Sequence, residues 1–555
     1  GSTPSRASAH RTLLTHLAPR TLSWSTAPAL AAASLGGLLL YLARFGYDYG
    51  TSDQDELLPY LFHRLNPSLF AEDWFVQTQA AGFGVRTYVV SLLEGLAGLM
   101  PVPVAVALLY LLAWGLLSSA VFALSLWWTR QPLAAIGATW FVLALTPQWT
   151  LGGNDLAHAM FVPSMLAWGL GLWGVRTWTQ GHPVRAGLWL GAATWMQALV
   201  GLQLAGLCGL VQLFFGWRRL APWPDAWRLG LTFVVVAAPA LGPLVVQQMA
   251  GAPVVSSEVP LDPAAPSALW SIMATFRNPH HYLPSGFSGH AAVRFAGLAV
   301  LGLAAIPLLK RRTMWLSGFD ASGLLLGVGL LGVVGWIGTE VRPTLFIAKL
   351  QLFKATVLAK VILGIALTAV PVAFLRLKAS QSTPLVWGLL ALVLMGWLGA
   401  GLSLRSAHVP AAFTLRAVDR AASPLGEVAT WARQTTPPDA VFAIPPTESA
   451  FRTMAQRGIA INFKAFPYRD PDILAWYTRL QDWAPVPLHH PSTAARLTAL
   501  DEAYHALPAA SLLTLADQYE VTYLLRAAPL APHPELEQVF TASPYHVYRV
   551  RSLDS

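Results

Sequence analysis

Between Tyr47 and Trp74 the chain reads YDYGTSDQDELLPYLFHRLNPSLFAEDW, which places six carboxylates (Asp48, Asp53, Asp55, Glu56, Glu72 and Asp73) within 28 residues. Acids are scarce elsewhere: 27 Asp and Glu serve 555 residues that are 55% hydrophobic and 11% charged. A carboxylate in such a group can remove the proton from an attacking hydroxyl, or carboxylates together can hold a divalent cation through oxygen ligands. In extended backbone Asp53 and Asp55 share a face; in helical backbone Asp53 and Glu56 do. Of Asp53, Asp55 and Glu56, Asp53 lies nearest the end of the preceding apolar segment, so it is the general base expected here, with Asp55 second and Glu56 and Asp73 as additional acids. A structural account competes with this one. Ser52 and Asp55 have the spacing of a helix N-cap and its N3 partner, and Leu57, Leu58, Leu61, Phe62 and Leu65 have that of an amphipathic helix on a membrane surface. Capping leaves Asp48, Glu72 and Asp73 unexplained.

Three further groups carry chemistry. Gly152-Gly-Asn154-Asp155, with His158 about one turn on, offers Asp155 as another acid or metal ligand, or as an ordinary N-cap. Arg277, His280, His281 and Tyr282 stand between prolines in FRNPHHYLPS and suit a phosphate leaving group or a metal, or else form a rigid surface turn. Arg342, Lys349, Lys354 and Lys360 load an apolar stretch with cations, Glu340 being the acid close by. Lys349 and Lys354 are the better phosphate candidates, Lys360 reads as structural, and snorkelling to the interface is the competing explanation.

The elements that must position these groups are membrane helices. Mean hydropathy is +0.50, and apolar runs long enough for about 30 Å of hydrocarbon recur. They span Ala27–Leu42, Val102–Trp128, Leu133–Leu145, Ala157–Trp178, Ala186–Trp217 (broken near Val200-Gly201), Leu229–Val246, Ala291–Leu309, Leu324–Ile337, Leu345–Leu375 and Leu385–Leu404, which makes about eleven crossings. Arg86–Met100 reads as an interfacial helix. The Gly-Ser start, followed by Arg6, Arg11 and Arg20, reads as a basic lead-in to a retained first helix rather than a cleavable signal. A cytoplasmic N-terminus puts Arg130, Arg176 with Arg185, Arg218, Arg219 and Arg228, Lys310 to Arg312, and Arg376 with Lys378 all inside. The acidic loop, the loops holding Asp155 and His280, and everything past Arg405 then lie outside. Most of the 23 tryptophans fall at segment ends, as interfacial belts do. The expected organisation is a cytoplasmic segment over 1–24, a transmembrane domain over 25–406 with the acidic loop at about 45–100, and an outer α/β domain over 407–555. Strands are expected at Val441–Ile444, Ile459–Phe463, Val521–Leu525 and Tyr545–Val550, and helices at Ala450–Arg457, Asp472–Asp482 and Thr498–Ala506.

The net charge of +9 and pI near 9.7 do not indicate nucleic acid, because the basic residues are scattered at helix ends. With Cys208 as the single cysteine, an intrachain disulfide and a cysteine metal cluster are both excluded.

An N-terminal membrane helix, a first outer loop carrying Asp53-Gln-Asp55-Glu56, a polytopic core and a C-terminal outer domain together resemble the GT-C superfamily of integral-membrane glycosyltransferases. The stretch from Trp431-Ala-Arg433 through Thr436-Pro-Pro-Asp439 also looks like the start of the soluble domain in bacterial proteins of that plan. The resemblance implies an inverting transferase at the outer face of a bacterial cytoplasmic (inner) membrane, with a periplasmic or extracellular C-terminal domain. It would move a sugar from a polyprenyl-phosphate donor to a hydroxyl on a glycan, lipid or protein in cell-envelope glycan biosynthesis. Charge on the leaving phosphate would be met by a divalent cation (Mg or Mn) on Asp55 or Asp155, or without metal by Arg277, His280, His281 and Lys354. The alternatives are a transporter or flippase for a lipid-linked saccharide and a non-catalytic envelope scaffold; the sequence shows no internal repeat of the kind transporters carry.

Overall fold

The structure, a computed structural model, describes residues 26–219, 222–250, 267–375, 388, 420–488 and 492–551. The N-terminal lead-in, Arg376 with Lys378, and almost all of the expected Leu385–Leu404 segment lie outside the described residues. Among those described, seven helices are long and apolar enough to cross a membrane: Ala27–Phe45, Val102–Thr129, Ala198–Trp217, Trp223–Gln248, Gly289–Arg311, Asp320–Val341 and Leu345–Phe374. The protein is mostly helical and of multi-pass character, with a small C-terminal sheet. The chain divides into two compact units. One comprises Gly1–Gly46, Leu108–Gly242 and His280–Phe413; the other comprises Tyr47–Ala107, Pro243–Pro279 and Thr414–Ser555.

In the first unit several helices depart from straight rods, each for a local reason. The Ala27–Phe45 helix contains a π-helical turn at Ala32–Gly36. The indole Nε1 of Trp140 donates to the carbonyls of Ala32 and Ala33 at 3.2 Å, satisfying acceptors that the widened turn misaligns. The long run after Pro183 breaks at Gln197, between helices Pro183–Met196 and Ala198–Trp217, three residues before the expected break. The helix expected from Ala157 starts at Pro163, because the residues before it form an irregular loop around Asp155. The Leu345–Phe374 span is interrupted at Gln351, which is left-handed at φ 48°. Gln203 holds that interruption by donating Nε2 to the carbonyls of Leu350 at 2.7 Å and Gln351 at 3.1 Å. Trp114 and Trp168, in mid-segment, are buried packing residues, and so is Trp128, although it stands at the end of an expected segment.

The second unit holds the sheet. Its order is β2-β1-β3-β5-β4, with β1 Val441–Ala443, β2 Gly458–Ile459, β3 Tyr523–Arg526, β4 Leu536–Ala542 and β5 Tyr545–Val550. β1 is parallel to both β2 and β3, while β5 is antiparallel to β3 and β4. Helices Pro424–Thr435 and Phe451–Ala455 cover it through Leu425, Val428, Phe442, Phe451 and Ile459. Expected strands and helices appear near their places, but β2 is the two residues Gly458–Ile459, which keep only Ile459 of the expected Ile459–Phe463. Strand β4 and helices Pro424–Thr435 and Ala509–Gln518 were not expected. The Leu58–Leu65 helix buries Leu58, Leu61 and Phe62 against Trp74–Ala80 and Thr87–Ala97, so its apolar stripe faces protein.

Close helix approach in the first unit depends on small residues. A Cβ at Gly201 would come within 2.7 Å of the Leu190 carbonyl oxygen and the Thr194 nitrogen, backbone atoms that cannot yield locally. A Cβ at Gly206, on the same helix, would meet nothing within 4 Å. Gly201→Ala is therefore expected to cost about 1–3 kcal/mol, read as a lowered melting temperature of the purified chain by tryptophan fluorescence, while Gly206→Ala leaves it unchanged or slightly raised.

Candidate functional site

The acidic stretch is a 3-10 turn, Ser52–Glu56, and not the capped α-helix that the spacing also permitted. Ser52 sits at φ 53° and no side-chain bond caps the turn. Three residues per turn bring Asp53 and Glu56 to one side, matching the helical alternative. The carboxylates then divide by environment. Asp55 and Asp73 are fully buried, Asp48 and Glu56 are buried, and Asp53 and Glu72 are exposed.

Each buried acid has a specific partner within the same unit. Asp55 Oδ2 accepts from Asn462 Nδ2 at 2.8 Å and lies 3.9 Å from Arg452 Nη1. Asp73 caps the Trp74–Ala80 helix by accepting from Val76 N, accepts from Ile459 N in β2, both at 3.0 Å, and stands 3.2 Å from Arg452 Nε. Asp48 pairs with Arg420, and Glu56 with Arg86. Arg452 is 1% exposed and stacks on Phe75 at 5.3 Å. Burial outweighs the Arg452 charge and the Asn462 bond at Asp55, pushing its carboxyl up to about 6.

Asp53 differs from these. Its side chain is 50% exposed and accepts from Lys464 Nζ at 2.5 Å. The carbonyl of Lys464 accepts from Arg277 Nη2 at 2.8 Å, and that guanidinium lies 4.8 Å from the ring centre of Phe463. Asp53, the expected base, and Arg277, an expected phosphate ligand, thus meet through one lysine. The sequence reading missed Lys464, as it missed Asn462 and Arg452. The signal available for it was a lone cation in the apolar stretch Ile461-Asn-Phe-Lys464-Ala-Phe466.

The other candidates form a second polar group within the first unit. Asp155 is not an N-cap. Its Oδ1 accepts from Lys360 Nζ at 2.7 Å and from Leu156 N at 2.8 Å, and its Oδ2 accepts from Gln148 N at 2.6 Å. Lys360 is fully buried. His281 Nδ1 lies 2.6 Å from the Gly152 carbonyl oxygen, and its ring is 4.1 Å from that of His280. Gly152 and Gly153 have φ of 70° and 62°, and a Cβ at Gly153 would stand 3.2 Å from the His281 ring, so the loop reaches the histidines only as glycine. The Tyr282 hydroxyl accepts from Gln351 Nε2 at 3.1 Å. Lys354 is buried in the turn after Gln351, Lys349 is half-buried one turn before it, and His158 is half-buried.

Among the described residues no three His, Cys, Asp or Glu side chains are grouped as a metal site. Asp55 and Asp155, the expected metal ligands, each turn one oxygen to a side-chain nitrogen donor, Asn462 and Lys360 respectively, while Asp55 Oδ1 has no hydrogen-bond partner among the described residues.

The Asp55 environment makes a pH prediction. The unfolded chain releases this proton near 3.8 and the folded chain near 6, so its stabilising contribution is full below about pH 4 and is lost as pH rises through 6. The difference is about 3 kcal/mol. Asp55→Asn is expected to remove this component, so that the wild-type melting temperature falls relative to the variant between pH 4 and 7.

Residues 423–483 match the family described as Domain of unknown function (DUF6798). That segment contains Arg452, Asn462 and Lys464, the residues that meet Asp55, Asp73 and Asp53. No curated protein matches the chain.

Proposed function

We propose that the protein is an inverting membrane glycosyltransferase of GT-C type in which Asp53 is the general base. The observation that carries this reading is the contrast within one turn: Asp55 and Glu56 are sealed into ion pairs and hydrogen bonds, while Asp53 keeps half its surface open beside Lys464. An exposed carboxylate among cations can take a proton from an acceptor hydroxyl as that oxygen attacks the sugar anomeric carbon. The electron pair of the breaking glycosidic bond leaves with the lipid phosphate, whose charge Arg277 and Lys464 are suited to meet. Recognition of a polyprenyl-phosphate donor by His280, His281, Tyr282, Lys349 and Lys354 is the second part of the reading. Its support is that Tyr282 accepts from Gln351 and His281 meets the Gly152 carbonyl with His280 beside it, close to the buried Asp155–Lys360 pair in sequence.

The proposal includes about eleven crossings, a cytoplasmic N-terminus, an outward-facing C-terminal domain and residence in a bacterial inner membrane. Hydropathy and the distribution of Lys and Arg support these. Transport of a lipid-linked saccharide is the second reading, favoured by the helix interrupted at Gln351 and the buried Asp155–Lys360 pair, since transporters break helices at their binding sites.

Purified protein given labelled polyprenyl-phosphate sugars and hydroxyl acceptors is expected to transfer sugar. Asp53→Asn should lose about 10²–10⁴ of the rate, and Asp53→Glu should recover part of it. A chelator arm tests the divalent cation. Full activity in Asp53→Asn would remove the base assignment. Labelled saccharide crossing a vesicle bilayer without transfer would favour transport.

A further inference from the structure

The meeting of Asp53 with Lys464 needs a physical cause. The two side chains are 50% and 29% exposed, and an exposed ion pair holds two flexible groups in one geometry only weakly. They also lie on segments 411 positions apart in sequence. Two residues from each stands a buried contact between the same segments, in which Asn462 Nδ2 donates to Asp55 Oδ2 at 2.8 Å. Both of these side chains are fully buried.

Asn462 engages both ends of its amide. Besides Asp55, Nδ2 donates to the Glu448 carbonyl at 3.1 Å, and Oδ1 accepts from Ala465 N at 2.8 Å. Turning the amide over would set its oxygen against a carboxylate and its nitrogen against an N–H, so one orientation alone is satisfied. The main chain is fixed as well. The Asn462 carbonyl accepts from Trp476 Nε1 at 3.1 Å, and Phe463 N donates to the Pro446 carbonyl at 2.7 Å. Lys464 therefore sits in a bend that the Asn462 side chain closes, and its own carbonyl accepts from Arg277 Nη2 at 2.8 Å. The acidic turn is tied to the same place, since Thr51 Oγ1 and Ser449 Oγ stand 3.1 Å apart.

We propose that Asn462 is a positioning residue for Lys464: its amide locks the acidic turn to the lysine's bend and so sets the ammonium against Asp53. A buried hydrogen bond to a carboxylate keeps its geometry where the exposed ion pair does not. That Lys464 then meets a leaving phosphate rests on the proposed transfer, but the positioning is read without substrate.

Lys464 is the single lysine of the second unit, so acylation of its amine in the purified full chain, followed by mass spectrometry, reports this contact alone. Asp53→Asn, which removes the partner, is expected to raise the labelling rate about two- to fivefold, the range an exposed ion pair supports. Asn462→Ala should raise it by the same factor and the double variant no further, because both changes break one contact. Asn462→Asp keeps an acceptor for Ala465 N but turns a carboxylate on Asp55, and should also label faster. Exchanging the pair, Asp55→Asn with Asn462→Asp, puts the donor on the other side and should return the rate toward wild type, a rescue that a residue merely filling space would not show. Where Asn462→Ala melts early, the exchange carries the comparison. An unchanged rate in Asn462→Asp, additive effects in the double variant, or no rescue by the exchange overturns the proposal. A protein that transfers no sugar but labels in this pattern loses the transfer reading and keeps the positioning; one that transfers while Lys464 labels alike in all variants does the reverse.

Discussion

The second unit depends on one buried guanidinium. Arg452 comes from the short helix beside β2, is 1% exposed, and faces Asp55 and Asp73, two carboxylates that are fully buried. Desolvating three charges is costly, and their attraction offsets the cost only when the remaining lone pairs are also satisfied. Here Asn462 serves one oxygen of Asp55, and Val76 and Ile459 serve Asp73 through their backbone amides, while Asp55 Oδ1 and the Nε and Nη1 of Arg452 are buried without a hydrogen-bond partner among the described residues, so the triad is only partly compensated. Removing Arg452 would leave two carboxylates buried without their cation. The acidic loop is therefore part of the same folded body as the sheet, and its carboxylates are chiefly a means of joining the two.

That use of acids explains why they are concentrated in this loop, and why one of them stands out. Four of the six are committed to Arg420, Arg452 or Arg86 with their neighbours. The 3-10 geometry sets Asp53 beside Glu56, yet Glu56 is drawn to Arg86 while Asp53 stays at the surface with Lys464. The buried pairs hold the turn rigid, so the exposed carboxylate is positioned by interactions it does not itself make. A group that must accept a proton from an incoming hydroxyl benefits from such support.

Much of the helical pattern was legible because hydrophobic run length is imposed by the bilayer and does not depend on tertiary contacts. Break points were less so. Gln351 turns left-handed because Gln203, far away in sequence, supplies the missing donors, and Ala32–Gly36 widens because Trp140 does. In the candidate site, Asp53 and Arg277 were readable from residue type and loop context. Lys464, Asn462 and Arg452 were not, since each is ordinary locally and gains its meaning from a partner some four hundred positions earlier. The capping-box spacing at Ser52 and Asp55 misled for a related reason: Asn462 offers Asp55 a better donor than the turn's own backbone.

The first unit solves a similar problem under a stricter constraint. Lys360 is fully buried in an apolar helix, where an unpaired ammonium would be expensive. Asp155 meets it at 2.7 Å and is itself held by the amides of Gln148 and Leu156, so an irregular loop must descend to the lysine. That loop carries Gly152 and Gly153, whose positive φ lets it lie against His280 and His281. The ion pair thus sets the loop, and the loop sets the histidines. In both units a buried pair of opposite charges does the positioning, and the groups with chemistry to offer are the ones next to it.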